Sequence, residues 1–317
     1  MKAAEQFIDE LIQQQALPND YKFLVKDYIW PLVEDMVVQY GYRERSNKQL
    51  KKPWLLGLQG TQGSGKSTVC LFIKTLLKEC FNLNVVVLSL DDFYKTHQER
   101  LELSKSIHPL FSTRGVPATH DLILANHTLD QLAALKSGDS CVVPSFNKAI
   151  DDRTPSEQWK TVSGKVDIII FEGWCVGLQA QSTRDLKLAI NELEEAEDSN
   201  CIWRSHVNNQ LKTVYSDFYN LIDHLIVLQA PSFDCVYEWR VLQESKLASS
   251  TEQNEIGSKA PIRIQSPEQI RRFIAHYERL TRHALKTLPS TASWLLQLNE
   301  SHNITSLIRN RNLVRLE

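Results

Sequence analysis

Five short stretches of the chain are apolar almost without interruption: Trp54–Leu58, Val85–Leu90, Val166–Phe171, His224–Leu228 and Ser293–Leu298. Runs of this length, rich in branched side chains, suit strands buried on both faces of a parallel sheet. Apolar positions at helical spacing separate them, at Val69–Leu77, Leu122–Leu135, His206–Leu221 and from Pro231 to about Leu247. A long helix opens at Ser266-Pro267-Glu268-Gln269 and turns Phe273, Ile274, Tyr277, Leu280 and Leu285 inward. Cys141-Val142-Val143 adds a short strand, and Asn303–Ile308 reads as a capped closing helix. The alternation predicts an α/β fold with a parallel sheet flanked by helices.

Ahead of the first strand, residues 3–15 and Tyr21–Tyr40 carry helical patterns, with Pro31 expected to kink or interrupt the second. Arg43–Lys52 is polar and reads as a linker. Residues 1–52 are therefore expected to form a helical N-terminal extension, and 53–317 one domain carrying insertions or loops at 178–205 and 249–260. The first of these, with Glu192, Glu194, Glu195, Glu197 and Asp198, reads as a solvated acidic face.

Composition narrows the function. The net charge is −2 over 317 residues, so no global basic field invites nucleic acid or an anionic membrane. No apolar run nears the roughly 20 residues of a membrane span, and Met1–Gln6 leads into a mixed helix rather than a signal-peptide core. The six cysteines include no C-x-x-C pair and read as reduced thiols. A cytoplasmic protein is expected, with nothing that sorts between cytoplasm and nucleus.

The chemistry begins where the first strand ends. Gly60-Thr61-Gln62-Gly63-Ser64-Gly65-Lys66-Ser67 fits G-x-x-x-x-G-K-[ST] in full, with Thr68 opening the apolar helix that follows. In this strand–loop–helix setting the backbone N–H groups and the helix N-terminus cradle phosphate. Lys66 would reach the β- and γ-phosphates and the Ser67 hydroxyl would bind Mg²⁺. A plain Gly/Ser turn explains the glycines but not the Lys-Ser in register. A P-loop nucleotide site is the reading.

Two further strands end in acids, and in open α/β sheets ligands lie beyond the carboxyl ends of strands. Asp91 and Asp92 follow the second; one is expected to cap a helix and Asp91 to face the phosphate loop. Glu172 ends the third, where P-loop proteins hold Mg²⁺ or its water. Arg114 precedes Gly115 in a loop, a setting as often solvated as anion-binding, and Thr119 and Asp121 could serve as helix caps.

The set Gly60–Ser67, Asp91-Asp92-Phe93-Tyr94, Arg114-Gly115-Val116-Pro117-Ala118-Thr119-His120-Asp121 and Phe171-Glu172-Gly173-Trp174 resembles the small-molecule kinases that include uridine kinase, phosphoribulokinase and pantothenate kinase. Within them it is most similar to the glycerate kinase family of plants and fungi, from about Trp54 to the C-terminus. The resemblance implies a P-loop NTP hydrolase fold and ATP with Mg²⁺ as cofactors, the metal held by Ser67 and Glu172. It implies Asp91 as base beside the acceptor hydroxyl. Tyr94, Arg114, His120, Asp121, Lys148 and Arg153 would lie near the acceptor, and Arg240 marks the helix expected to supply a lid arginine. ATP rather than GTP is implied, since no Asn-Lys-x-Asp run is present. Where plant members carry Pro-x-Tyr-Asp-Lys, this chain has Pro144-Ser145-Phe146-Asn147-Lys148, without that hydroxyl and carboxylate.

The expected activity is γ-phosphoryl transfer from ATP to a hydroxyl of a small metabolite, glycerate-like or undetermined. A nucleoside or pantothenate-type kinase of the same fold, and an ATP-binding regulatory protein with a degenerate acceptor site, are the alternatives. The sequence leaves oligomeric state open.

Overall fold

The computed structural model describes residues 2–46, 52–242 and 267–310. Two small ribbons, β3 (Ser140–Val143) with β6 (Lys160–Ser163) and β4 (Phe146–Asn147) with β5 (Asp152–Arg153), stand apart from a six-stranded sheet of β1 (Trp54–Gly60), β2 (Val85–Ser89), β7 (Ile168–Gly173), β8 (His224–Gln229), β9 (Trp294–Leu298) and β10 (Ile304–Arg309). Their spatial order is β10-β9-β8-β1-β7-β2, and all neighbours are parallel except β9 and β10. The expected doubly covered α/β fold is present. Two strands that adjoin in sequence, β1 and β2, are parted by β7, so the strand order turns back at β1. That is the switch point at which such sheets open a ligand crevice.

Successive residues on a strand point to opposite faces, and the unbroken apolar runs divide accordingly. Leu55, Val86, Leu88, Ile169, Phe171, Leu225, Val227 and Leu295 enter one core. The helices Leu122–Ala134, Ile202–Gln210 and Pro267–Thr291 cover it. Leu56, Leu58, Ile168, Ile170, Ile226, Leu228 and Leu296 enter the other, beneath the helix Lys66–Phe81, the helical residues 233–242 and the N-terminal helices. Ile8, Ile29, Leu32 and Met36 are buried in this second core.

Three local expectations are corrected. Pro31 does not end the helix: helical residues run from Tyr21 to Ser46, the α-helix giving way to a wide π-turn at Val25–Ile29 just ahead of the proline. That wider turn accommodates a ring that would otherwise press on the Asp27 carbonyl one turn back. The supposed linker is accordingly helical as far as Ser46. Asn303–Ile308 is not a helix. Asn299 Oδ1 accepts the N–H groups of Ser301 and Asn303, at 3.0 Å each. This closes a tight reversal from which Ile304–Arg309 returns as the antiparallel edge strand β10. The acidic stretch is not simply a solvated face. Glu194 and Asp198 are buried, held by Arg279 (Nη2–Oε2, 2.6 Å) and Arg204 (Nη1–Oδ2, 2.9 Å).

No described helix is long and apolar enough to cross a membrane. The six cysteines are free; burial pushes the Cys175 thiol up to about 12 and Cys70 well above its ordinary value. The expected continuation of the helix to Leu247 and the loop 249–260 lie outside the described residues.

Candidate active site

The phosphate loop spans the step from β1 to the helix beginning at Lys66. Gly63 has φ +76°, and a Cβ there would come within 2.8 Å of Trp239 Cβ. Only glycine meets both demands without strain. Trp239 is itself fixed, donating its indole N–H to the Glu300 carbonyl at 2.8 Å and stacking on His302 at 4.2 Å. The loop is thus backed by the helical residues 233–242. Arg240, next along them, places its guanidinium 5.1 Å over the Phe273 ring.

Sheet register brings Glu172 into line with the loop. It sits opposite Leu58 of β1 and Ser89 of β2, with Oε2 3.9 Å from Lys66 Nζ. Glu172 Oε2, Thr61 Oγ1, Gln62 Oε1 and Ser64 Oγ are buried with no hydrogen-bond partner among the described residues. Buried polar atoms are rarely left so. Beside an ammonium and the exposed Ser67 hydroxyl, this donor and acceptor set fits a nucleotide triphosphate with its divalent ion.

Asp91 and Asp92 lie in the 3-10 turn Leu90–Phe93 that follows β2, and neither caps a helix. They point to different tasks. Asp92 accepts the Phe146 N–H at 3.2 Å, and burial raises its carboxyl above the ordinary value. Asp91 accepts the Tyr94 phenol at 3.0 Å on Oδ1 and the Lys148 ammonium at 2.6 Å on Oδ2. Burial alone would raise Asp91; Lys148 and Lys66 overcome it and hold the carboxyl well below the usual range. Asp91 is therefore a carboxylate at neutral pH.

The loop after residue 112 folds beneath this pair. Gly115 has φ +137°, and a Cβ there would lie 2.0 Å from the Tyr277 hydroxyl. Tyr277 donates to the Arg114 carbonyl and the Trp174 indole to that of Gly115, both at 3.0 Å. Thr119 accepts the Gly115 N–H at 3.0 Å, so it braces the loop rather than capping the next helix. That cap is Asp121, which accepts the Leu124 N–H at 3.0 Å. Asp121 also pairs with Arg153 at 3.2 Å.

His120 stacks on Tyr94 at 4.6 Å, and its Nδ1 lies 2.7 Å from the Tyr215 hydroxyl. That hydroxyl accepts the Ala118 N–H, which frees its own proton for Nδ1 and leaves the imidazole proton on Nε2. Burial lowers His120 to about 3, so the ring is neutral. Its Nε2 is buried without a hydrogen-bond partner among the described residues.

Arg114 pairs with Asp151 and lies 5.7 Å over the Phe146 ring. Phe146 is thus a buried platform, edge-on to Tyr94 at 5.2 Å. Asn147 is exposed, its Oδ1 accepting the Ala149 N–H at 2.9 Å. Arg153 donates to the Tyr94 carbonyl at 3.0 Å. The structure therefore links Lys66, Asp91, Tyr94, His120, Lys148 and Glu172 through charge, hydrogen bonds and ring stacking, with Arg114, Asp121 and Arg153 in the adjoining ion pairs.

Sequence reasoning passed over Arg100, Asp151, Tyr215 and Tyr277. Arg100 is fully buried and bonds the Asp151 carboxylate at 2.9 Å and the Ser112 carbonyl at 2.9 Å. Its setting, His97-Gln98-Glu99-Arg100, reads as a solvated helix face and carries no signal of this role.

No protein-family model matches the chain. It is 32% identical over 255 residues to the uncharacterized kinase mug58 of Schizosaccharomyces pombe, covering 78% of this chain and 85% of that one. It is 27% identical over 264 residues to the chloroplastic D-glycerate 3-kinase of Arabidopsis thaliana, covering 81% of this chain but 52% of the plant protein. In fold it matches the solved D-glycerate 3-kinase of Cryptococcus neoformans with a TM-score of 0.71 at 24% identity, over 89% of this chain and 99% of that one. The phosphate loop, the acids that end β2 and β7, and these likenesses agree: the chain belongs to the glycerate kinase family of ATP-dependent small-molecule kinases.

Proposed function

We propose that the chain transfers the γ-phosphoryl of Mg²⁺·ATP to a hydroxyl of a small, anionic hydroxy acid of the glycerate type. The observation that carries this reading is the placement of Asp91. It is an ionised carboxylate oriented by Tyr94, within the electrostatic reach of Lys66 and flanked by the cations of the acceptor loops. Asp91 faces the acceptor hydroxyl, fixes its direction of attack and takes its proton late in the transfer.

Lys66 and the loop N–H groups hold the β- and γ-phosphates, and charge on the transferring group is met by Lys66 and Arg240. Ser67 and Glu172 would hold Mg²⁺, which supplies charge neutralisation across the phosphates when bound. His120, kept neutral by burial, offers its Nε2–H to an acceptor oxygen. Lys148, Arg114 and Arg153 give the acceptor pocket its preference for an anion. Catalysis of this kind is positioning and electrostatics, and the cytoplasm is the compartment proposed for it.

A panel of hydroxy acids, polyols, nucleosides and pantothenate, each with Mg²⁺·ATP, tests the reading by the appearance of a phosphorylated product. D-Glycerate or a close hydroxy acid is expected to be taken, and Lys66→Ala to reduce turnover at least about 10²-fold. ATP binding with no acceptor phosphorylated across the panel would favour a regulatory nucleotide-binding protein instead.

A further inference from the structure

We propose that Lys148 is a latch on Asp91: it holds the base idle while no acceptor is present and is drawn away by an anionic acceptor. The proposal rests on the reading of Asp91 as the base. Its starting point is the unequal treatment of the two carboxylate oxygens. Oδ1 is held by Tyr94, whose side chain is buried and stacked on His120. That partner is fixed and orients the carboxylate. Oδ2 is held by Lys148 at 2.6 Å, and the Lys148 side chain is 60% exposed. This partner can leave.

The backbone around Lys148 suits a side chain that moves on a still base. Lys148 follows β4 (Phe146–Asn147), which pairs with β5 (Asp152–Arg153). The root of that hairpin is anchored: Phe146 is buried with its N–H on Asp92, and the Ser145 and Thr154 hydroxyls meet at 2.8 Å. Rotation about the lysine's own flexible stem is enough to release Oδ2. Arg114 and Arg153 differ from it. Arg114 is held by Asp151 and lies over Phe146, while Arg153 is shared between Asp121 and the Tyr94 carbonyl.

The ammonium end of the pair is reached from solvent, so the carboxylate of an incoming acid can compete for it. As Lys148 turns to that carboxylate, Oδ2 is left facing the acceptor hydroxyl and Asp91 regains basicity. Without an acceptor, the ammonium on Oδ2 blunts the same carboxylate toward water. The reaction so suppressed is hydrolysis. Water oxygen forms a bond to the γ-phosphorus, the bond from that phosphorus to the β,γ-bridging oxygen breaks with its electron pair to ADP, and Asp91 takes the water proton.

ADP release from Mg²⁺·ATP is measured with no acceptor, and with D-glycerate or glycerol as probes, for wild type, Lys148→Met and Lys148→Arg. Lys148→Met is expected to hydrolyse ATP without acceptor about tenfold faster, a small part of what a positioned base supplies. It should raise KM for D-glycerate about tenfold and leave KM for glycerol within about twofold. Lys148→Arg, which keeps a positive charge of different shape, should raise acceptor-free hydrolysis clearly less than Lys148→Met does; an equal rise in the two variants would count against a charge latch. The added hydrolysis should vanish in the Asp91→Asn/Lys148→Met double variant.

Unchanged acceptor-free hydrolysis in Lys148→Met would overturn the latch, as would extra hydrolysis that survives Asp91→Asn. A wild type that phosphorylates no acceptor would instead overturn the kinase reading, whatever Lys148 does. If D-glycerate alone is refused, acceptor-free hydrolysis decides.

Discussion

Asp91 and Asp92 are adjacent in the chain and opposite in behaviour. The ammonium groups of Lys148 and Lys66 keep Asp91 ionised against the effect of burial, while Asp92 is half-buried with a single backbone donor and rises. The dipeptide alone says only that acids follow a strand. Which one works depends on Lys148 and Phe146, more than fifty residues on. His120 has a consequence that can be measured. Its folded value is about 3 against an ordinary 6.5, so the unfolded chain takes up this proton first as pH falls. The stability it contributes is complete above about pH 6.5 and is lost toward pH 3, at up to about 1.4 kcal/mol per pH unit. Urea unfolding between pH 7 and 5 should show a shallower decline for His120→Gln than for wild type; equal slopes would contradict the buried neutral ring. At Gly115, the left-handed backbone and the Tyr277 hydroxyl 2.0 Å from any Cβ predict that Gly115→Ala costs at least about 2 kcal/mol. A thermal melt within error of wild type would refute that packing.

Among the elements, the five parallel strands of the sheet and the phosphate loop were legible because each depends on neighbours in sequence. An unbroken apolar run is a strand covered on both faces, and a glycine-rich loop before a helix is complete within eight residues. Three things were not. The wide turn that absorbs Pro31 depends on hydrogen bonding that the residue pattern does not encode. β10 was hidden by Asn303, which looks like a helix cap but closes a reversal with Asn299. The acidic segment looked solvated because its counterions lie elsewhere: Arg279, some eighty residues on, grips Glu194 through Nε and Nη2 at 2.6 Å each. With side chains 7% and 1% exposed, removing one partner strands a buried charge. Arg279→Met is expected to cost about 3–5 kcal/mol, and the Arg279→Met/Glu194→Met pair clearly less than the sum of the single changes. Additive losses in denaturant titrations would mean that the two charges do not act as a pair.

For the whole molecule, the sheet sets the groups of the candidate site where four structural decisions meet. β1 delivers the phosphate loop, β2 delivers Asp91, β7 delivers Glu172, and the loop bearing His120 pairs back onto Tyr94. The N-terminal helices belong to this framework physically. Ile8, Ile12, Val25, Ile29, Leu32, Val33 and Met36 are buried in the core under β1 and its neighbours. At roughly 1.5–3 kcal/mol for each such side chain, their loss is of the same size as the ~5–15 kcal/mol that holds a domain folded. A chain starting at residue 52 should therefore show no cooperative unfolding transition; a sharp transition and retained ATP binding would make the extension an independent unit. The proposed transfer turns on Asp91. ³¹P NMR of Mg²⁺·ATP with D-glycerate, comparing wild type with Asp91→Asn, tests it most directly. The prediction is a phosphomonoester and ADP in step for wild type, and for Asp91→Asn undiminished ATP binding with transfer slowed roughly 10²–10⁴-fold. Transfer by Asp91→Asn at the wild-type rate would contradict it.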